Sequence, residues 1–128
     1  MAYDAILHGA TGIVYWGASY EAQDAPIWDH LRRIARELAD LTPALVSAER
    51  VAVTVEGAPD VIVQGRRVSG KVWVIAANER GEAATVRLRV EGAKGAFERV
   101  AESAELSAAD GTVSDSFAPF AVHLYRER

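Results

Sequence analysis

From about residue 46 onward, apolar residues recur at every second position, and turn residues interrupt them every several positions. A period of two puts successive side chains on opposite faces of a strand, and a helix cannot use it. Val51, Val53 and Val55 alternate with Ala52, Thr54 and Glu56, and Val61-Ile62-Val63 runs up to Gly65. Lys71 to Ala77 is strongly apolar and ends at the turn signal Asn78-Glu79-Arg80-Gly81. Val86, Leu88 and Val90 alternate with Arg87, Arg89 and Glu91 before Gly92 and Gly95 break the chain. Phe97 and Val100 mark a short strand, and Ala104 to Leu106 another. Asp110-Gly111 reads as a hairpin turn, after which Phe120, Val122 and Leu124 alternate with Ala121, His123 and Tyr125. About seven short strands separated by turns predict an antiparallel β-sandwich over residues 46–128, each strand with one buried and one wet face.

The first 45 residues follow a different period. Residues 2–8 are helix material, with Gly9 where a C-cap glycine belongs. After the short loop Ala10-Thr11-Gly12 comes Ile13-Val14-Tyr15-Trp16, a β-branched and aromatic run ended by Gly17. It is apolar on both faces, as a strand buried between layers is. A polar loop spans residues 18–25. A second helix opens near Asp24, with Pro26 tolerated in its first turn. Its apolar face is Ile27, Leu31, Ile34, Ala35, Leu38 and Leu41, and Pro43 marks its stop. Arg33–Glu37 and Arg36–Asp40 are i,i+4 pairs, worth about 0.2–0.5 kcal/mol each. The expected class is α+β, mainly β: a helix–strand–helix segment over residues 1–45, then the sandwich.

Composition narrows the function classes. The net charge of −4 is mild and no basic block stands out, which disfavours nucleic acid and anionic membranes as partners. The absence of cysteine excludes disulfides, thiolate catalysis and cysteine-based metal sites. The start has no basic n-region, and no stretch approaches the roughly 18 apolar residues of a transmembrane helix. A soluble, cytoplasmic protein is expected. His8, His30 and His123 are far apart and show no i,i+4 partner or acid cluster, so neither a metal nor another cofactor is expected. His8 suits the C-terminal end of a helix dipole. The serines, Ser19 and Ser47 among them, lack a nucleophile elbow, and Gly9-Ala10-Thr11-Gly12 lacks the Lys-Ser/Thr ending of a phosphate loop.

The run from Tyr3 through His8-Gly9-Ala10 to Tyr15-Trp16-Gly17 resembles the seventh helix and eighth strand of a glycoside hydrolase β/α barrel. There a helix ending in His-Gly-Ala leads into a last strand closing on an aromatic pair. Pro26 to Leu41 is similar to the eighth barrel helix, and a sandwich tail closing on a Val-x-Leu-Tyr strand is common in that group. The resemblance implies the C-terminal portion of a carbohydrate-processing enzyme: the end of a barrel plus an accessory sandwich. It places the paired catalytic acids on the fourth and seventh barrel strands, upstream of Met1, so no catalytic residue is expected here. The alternative is a stand-alone, non-enzymatic β-sandwich module for carbohydrate binding or protein assembly.

Hydrolysis needs two carboxylates flanking the glycosidic bond. In the first 45 residues only Glu21 and Asp24 fall on the loop after the predicted strand, where barrel chemistry resides, and helix capping accounts for Asp24. Trp16, at the end of that strand, is the leading sugar-stacking candidate, with Tyr20 and Glu21 as polar contacts; ordinary packing for Trp16 and a plain surface loop for the other two are the competing readings. Trp28 is expected to pack back on the strand, and Trp73 to lie on the sheet face opposite Val72 and Val74 as core or interface. A lone strand over 13–16 needs backbone partners, from the sandwich edge, a second copy or an upstream barrel. Self-association through residues 1–45 is therefore expected.

Overall fold

A computed structural model describes residues 1–17, 20–100, 104–106 and 108–128, with side chains left aside at 104, 105, 108 and 109. The chain is mainly β, with two helices and antiparallel sheets. Helix α1 (Ala2–Leu7) and helix α2 (Ile27–Leu45) come first. The strands are β1 (Arg50–Val51), β2 (Val53–Glu56), β3 (Val61–Val68), β4 (Lys71–Asn78), β5 (Ala84–Val90), β6 (Phe97–Arg99), β7 (Ala104–Leu106), β8 (Ala108–Ala109), β9 (Thr112–Phe117) and β10 (Val122–Glu127). A six-stranded sheet runs β1-β3-β4-β10-β6-β7, and a four-stranded sheet runs β2-β5-β9-β8.

Alternation builds the space between the sheets. Val72, Val74 and Ala76 of β4 meet Val86, Leu88 and Val90 of β5, with Phe97, Val113, Phe117 and Tyr125 completing the core. The Val-x-Leu-x-Val run of β5 sends Arg87 and Arg89 to solvent, as its period requires. Chain reversals fall where positive φ is available. Ser69 and Gly70 have φ of 50° and 82° between β3 and β4, and Asp110 and Gly111 have 51° and 71° between β8 and β9. Such two-residue turns match the twist of a hairpin.

At Ala52 the chain crosses from one sheet to the other, β1 pairing with β3 and β2 with β5. Gly65 makes that crossing possible. A Cβ there would sit 2.5 Å from the Val51 carbonyl oxygen and 2.8 Å from Val53 Cγ2.

The six-stranded sheet does not have the wet outer face that alternation predicts. Both helices cover it, α2 over β3 and α1 over β3 and β4. Leu41, Ile75 and Leu124 form a second core there, joined by Tyr3, Leu7, Trp73 and Val122. Strand β4 is therefore buried on both sides, and Trp73 lies opposite Val72 and Val74 as its parity predicts. The hydroxyl of Tyr3 donates to Glu37 Oε2 at 2.9 Å, tying α1 to α2. Burial, reinforced by the Glu37 bond, pushes the Tyr3 phenol well above its ordinary range.

Several expectations in the first 45 residues need correction. Ile13 to Trp16 form no strand. No backbone group of these residues has a partner among the described residues, and Val14 and Trp16 are exposed. A single extended segment has no stable form until another strand pairs with it. Pro43 does not stop α2, which continues to Leu45. Proline costs one backbone bond but keeps a helical φ, and the buried Leu41 and Ala44 hold the last turn on the sheet. Helix α2 starts at Ile27 rather than near Asp24, with Pro26 as its N-cap residue. Helix α1 ends with His8 as its C-cap residue, followed by Gly9 at φ 99°. Of the loop predicted over 18–25, residues 18 and 19, Ser19 included, lie outside the described residues. Among the described residues no helix is long and apolar enough to cross a membrane.

Candidate functional site

Trp16, Tyr20 and Glu21 share the exposed loop between the helices. Trp16 is 92% and Tyr20 84% exposed, and Gly17 at φ 84° turns the chain between them. The far end of the loop is fastened to α2, because the Trp28 indole N–H donates to the Ala22 carbonyl at 2.9 Å. Trp28 thus anchors the loop rather than packing on a strand. The three candidates share one solvent-facing stretch, and none of them lines the groove described below.

Histidines do meet acids, contrary to the expectation from their spacing. His8 Nε2 lies 2.5 Å from Glu79 Oε1 and 3.8 Å from Asp4 Oδ1. The three donor atoms lie within 4.8 Å of one another. An imidazole nitrogen with two carboxylate oxygens is a set that can ligate a divalent cation. The hydrogen bond to Glu79, then its charge, raises the His8 pKa above its ordinary value. Asp4 is four residues before His8 on α1, but Glu79 follows β4, so only the packing of α1 on the sheet assembles the group.

The second meeting is buried between the sheets. Asp115, on the inner face of β9, faces β10 and β6. Tyr125 donates to its Oδ2 at 2.6 Å, and His123 Nδ1 lies 2.9 Å from the same oxygen. The Arg99 guanidinium and the Ser116 N–H, at 2.8 Å, bond Oδ1. The His123 ring stacks on Phe117 at a centroid distance of 4.2 Å. Burial alone raises the Asp115 pKa, but the Tyr125 and Ser116 bonds with the Arg99 and His123 charges outweigh it and hold the carboxyl below its usual range. An Asp–His pair is also a fragment of a hydrolytic triad. Here the carboxylate contacts Nδ1, as it would in a triad, but Asp115 and His123 are each only 9% exposed. The group therefore serves as a polar clasp between the sheets. No strand was expected over residues 112–117, so an inward-facing Asp there went unseen.

Glu127 is a second buried carboxylate. It accepts the N–H of Val72 at 3.0 Å on Oε2, and those of Lys94 at 2.8 Å and Gly95 at 3.2 Å on Oε1. Burial pushes its pKa up, and these three backbone bonds with Arg67 bring it below the ordinary value.

A groove of about 720 Å³ lies between α1, α2, the 9–13 loop and the β1–β3 edge. Ile6, Ile13, Leu38, Leu45 and Val46 make it apolar, and Arg50, Gln64 and Arg66 give it a polar floor. No protein-family model matches the chain, and no curated protein matches it either. Function therefore has to be argued from these surfaces. Of the two loop acids singled out in the sequence, Glu21 and Asp24 both stand exposed, and Asp24 does not cap α2, whose N-cap residue Pro26 comes with no side-chain cap bond; Asp4 and Glu79 are engaged with His8.

Proposed function

We propose that this chain is a non-catalytic β-sandwich unit of a carbohydrate-processing protein, and that its N-terminal segment docks against a β/α barrel like that of a glycoside hydrolase. The observation that carries the reading is the apolar segment Ile13 to Trp16. Its backbone lacks partners among the described residues, and Val14 is 89% exposed. A neighbouring strand would satisfy the backbone and cover Val14 and Trp16 together. The sequence resemblance, which makes this segment a last barrel strand, agrees with that need. The second reading, a carbohydrate-binding module, draws on Trp16 and Tyr20 exposed on one loop, since aromatic faces can stack on sugar rings.

The test has two arms. Without its docking surface covered, the chain self-associates in sedimentation, and Val14→Asp with Trp16→Asp restores a monomer with an unchanged melting temperature. A wild-type monomer at every concentration overturns the docking reading. The chain also hydrolyses no aryl glycoside or polysaccharide. Turnover that is lost in Glu21→Gln overturns the non-catalytic reading. Polysaccharide-induced changes in tryptophan fluorescence that vanish in Trp16→Ala favour the binding module.

A further inference from the structure

We infer that the groove between the helices and the β1–β3 edge binds a small amphiphilic anion, with carboxylate or phosphate oxygens on Arg50 and Arg66 and an apolar body against α2. Arg50 and Arg66 stand directly opposite each other in the β1–β3 register. Both face the helix side, because their neighbours Val51 and Gly65 point into the sandwich core. Like charges directly opposite on paired strands repel. Burial first, and then the Arg50 charge, lowers the Arg66 pKa. No acid among the described residues offsets the pair, and the buried Nε of Arg66 has no hydrogen-bond partner.

Most other arginines of the sheets are treated differently, although Arg87 on the exposed face of β5 also lacks an ion pair among the described residues. Arg67 is paired with Glu49, Arg80 with Asp60, Arg89 with Glu56, and Arg126 and Arg128 with Glu98. The chain carries 18 acidic residues against 14 Lys and Arg, so a shortage of acids does not explain the gap at Arg50 and Arg66. An anion bridging the two guanidinia relieves the repulsion, and forked donors suit carboxylate and phosphate oxygens.

The walls define the rest of the ligand. A volume of about 720 Å³ falls in the range of small-molecule sites, roughly 300–1,000 Å³. Ile6, Leu38 and Leu45 offer aliphatic contact, and among the described residues no aromatic side chain lines the groove. That lining gives a nucleobase or a sugar ring nothing to stack on, whereas an alkyl or alicyclic body fits it. Ile13 borders both surfaces, but Val14 and Trp16 do not line the groove, so the inference goes beyond the proposed function, and the Val14→Asp, Trp16→Asp variant tests that function without altering the groove.

The test is isothermal titration of the full chain with decanoate, decyl phosphate, decanol and inorganic phosphate. Decanoate or decyl phosphate is expected to bind at least ~10-fold tighter than either decanol or phosphate, a difference of about 1.4 kcal/mol. Arg50→Gln and Arg66→Gln each reduce that binding about 10-fold and leave decanol unaffected. Ala39→Trp, which fills the groove from its exposed rim, abolishes it. Melting curves verify that each variant is folded, and Arg50→Gln on the two-residue edge strand carries the test if Arg66→Gln unfolds. Equal affinity for decanol and decanoate, equal affinity for phosphate and decyl phosphate, unchanged affinity in a folded arginine variant, or no binding of either decyl anion overturns the inference.

Discussion

Asp115 holds four partners from three strands, and its side chain is only 6% exposed. Asp115→Asn removes the charge facing the part-buried Arg99 and is expected to cost up to about 3–5 kcal/mol, the penalty for breaking a buried pair on one side. Urea denaturation measures it. The pH dependence has a definite sign. A carboxyl whose folded pKa is depressed stabilises the fold above its unfolded pKa, and that contribution is lost as pH falls through the folded value. The gap in unfolding free energy between wild type and Asp115→Asn is therefore expected to narrow on acidification; a gap that stays constant down to the acid limit contradicts it. Gly65 is constrained by space rather than charge. Its φ is not positive, yet an added Cβ meets the Val51 carbonyl. Gly65→Ala is expected to cost about 1–3 kcal/mol by pushing β1 off the sheet, as thermal unfolding will register.

Helix α1 has only six residues, too short to persist without tertiary contacts. Tyr3, Leu7 and the His8–Glu79 bond hold it in place. The raised pKa of His8 gives the opposite sign to Asp115. Its contribution is fully present below the unfolded pKa and disappears as pH rises through the folded value. The melting temperature of wild type is expected to exceed that of His8→Gln in mild acid and to converge with it at alkaline pH. At this scale much of the sandwich was legible. The alternation at Val86, Leu88 and Val90, the Asp110-Gly111 turn and the Asn78–Gly81 turn each depend on local chemistry. Asn78 shows why: its side-chain N–H groups donate to Glu82 O at 2.7 Å and Ala118 O at 3.1 Å, so one residue shapes two turns. The misreadings came from tertiary context. Ile13 to Trp16 has the composition of a buried strand, but composition cannot supply the neighbouring strand. Phe120 was read as part of the last alternating strand, yet it sits 69% exposed at φ 56° before β10. His123 and Tyr125 were read as alternates to an apolar Val122–Leu124 face, whereas helices on one side and the second sheet on the other bury both faces of β10. For the candidate site, Tyr20 and Glu21 lie on the loop expected for them, whereas Trp16 was expected on a strand that does not form, and the Arg50–Arg66 pairing depends on register and could not be read from spacing.

In the whole molecule, the helical layer and the sandwich share the six-stranded sheet, with a core on each of its faces. Leu41→Ala, a change at a 3% exposed position of α2, is expected to destabilise the chain by about 2–5 kcal/mol. Because Ile75 and Leu124 belong to sandwich strands, the far-ultraviolet dichroism of helix and strand should shift together with amide protection in β5. Loss of helix signal with β5 protection unchanged would show the two layers to be independent. The strand order carries one more consequence. Strand β10 comes after every other strand in the chain, yet it lies between β4 and β6, pairing Leu124 with Ile75 on one side and Tyr125 with Arg99 on the other. During synthesis β1, β3 and β4 leave the ribosome well before β10, but they cannot join β6 and β7 until it emerges. The nascent sheet is therefore held open along its middle, with unpaired edges on both halves that a chaperone could shield, and this protein completes its fold only after almost all of this sequence has been translated.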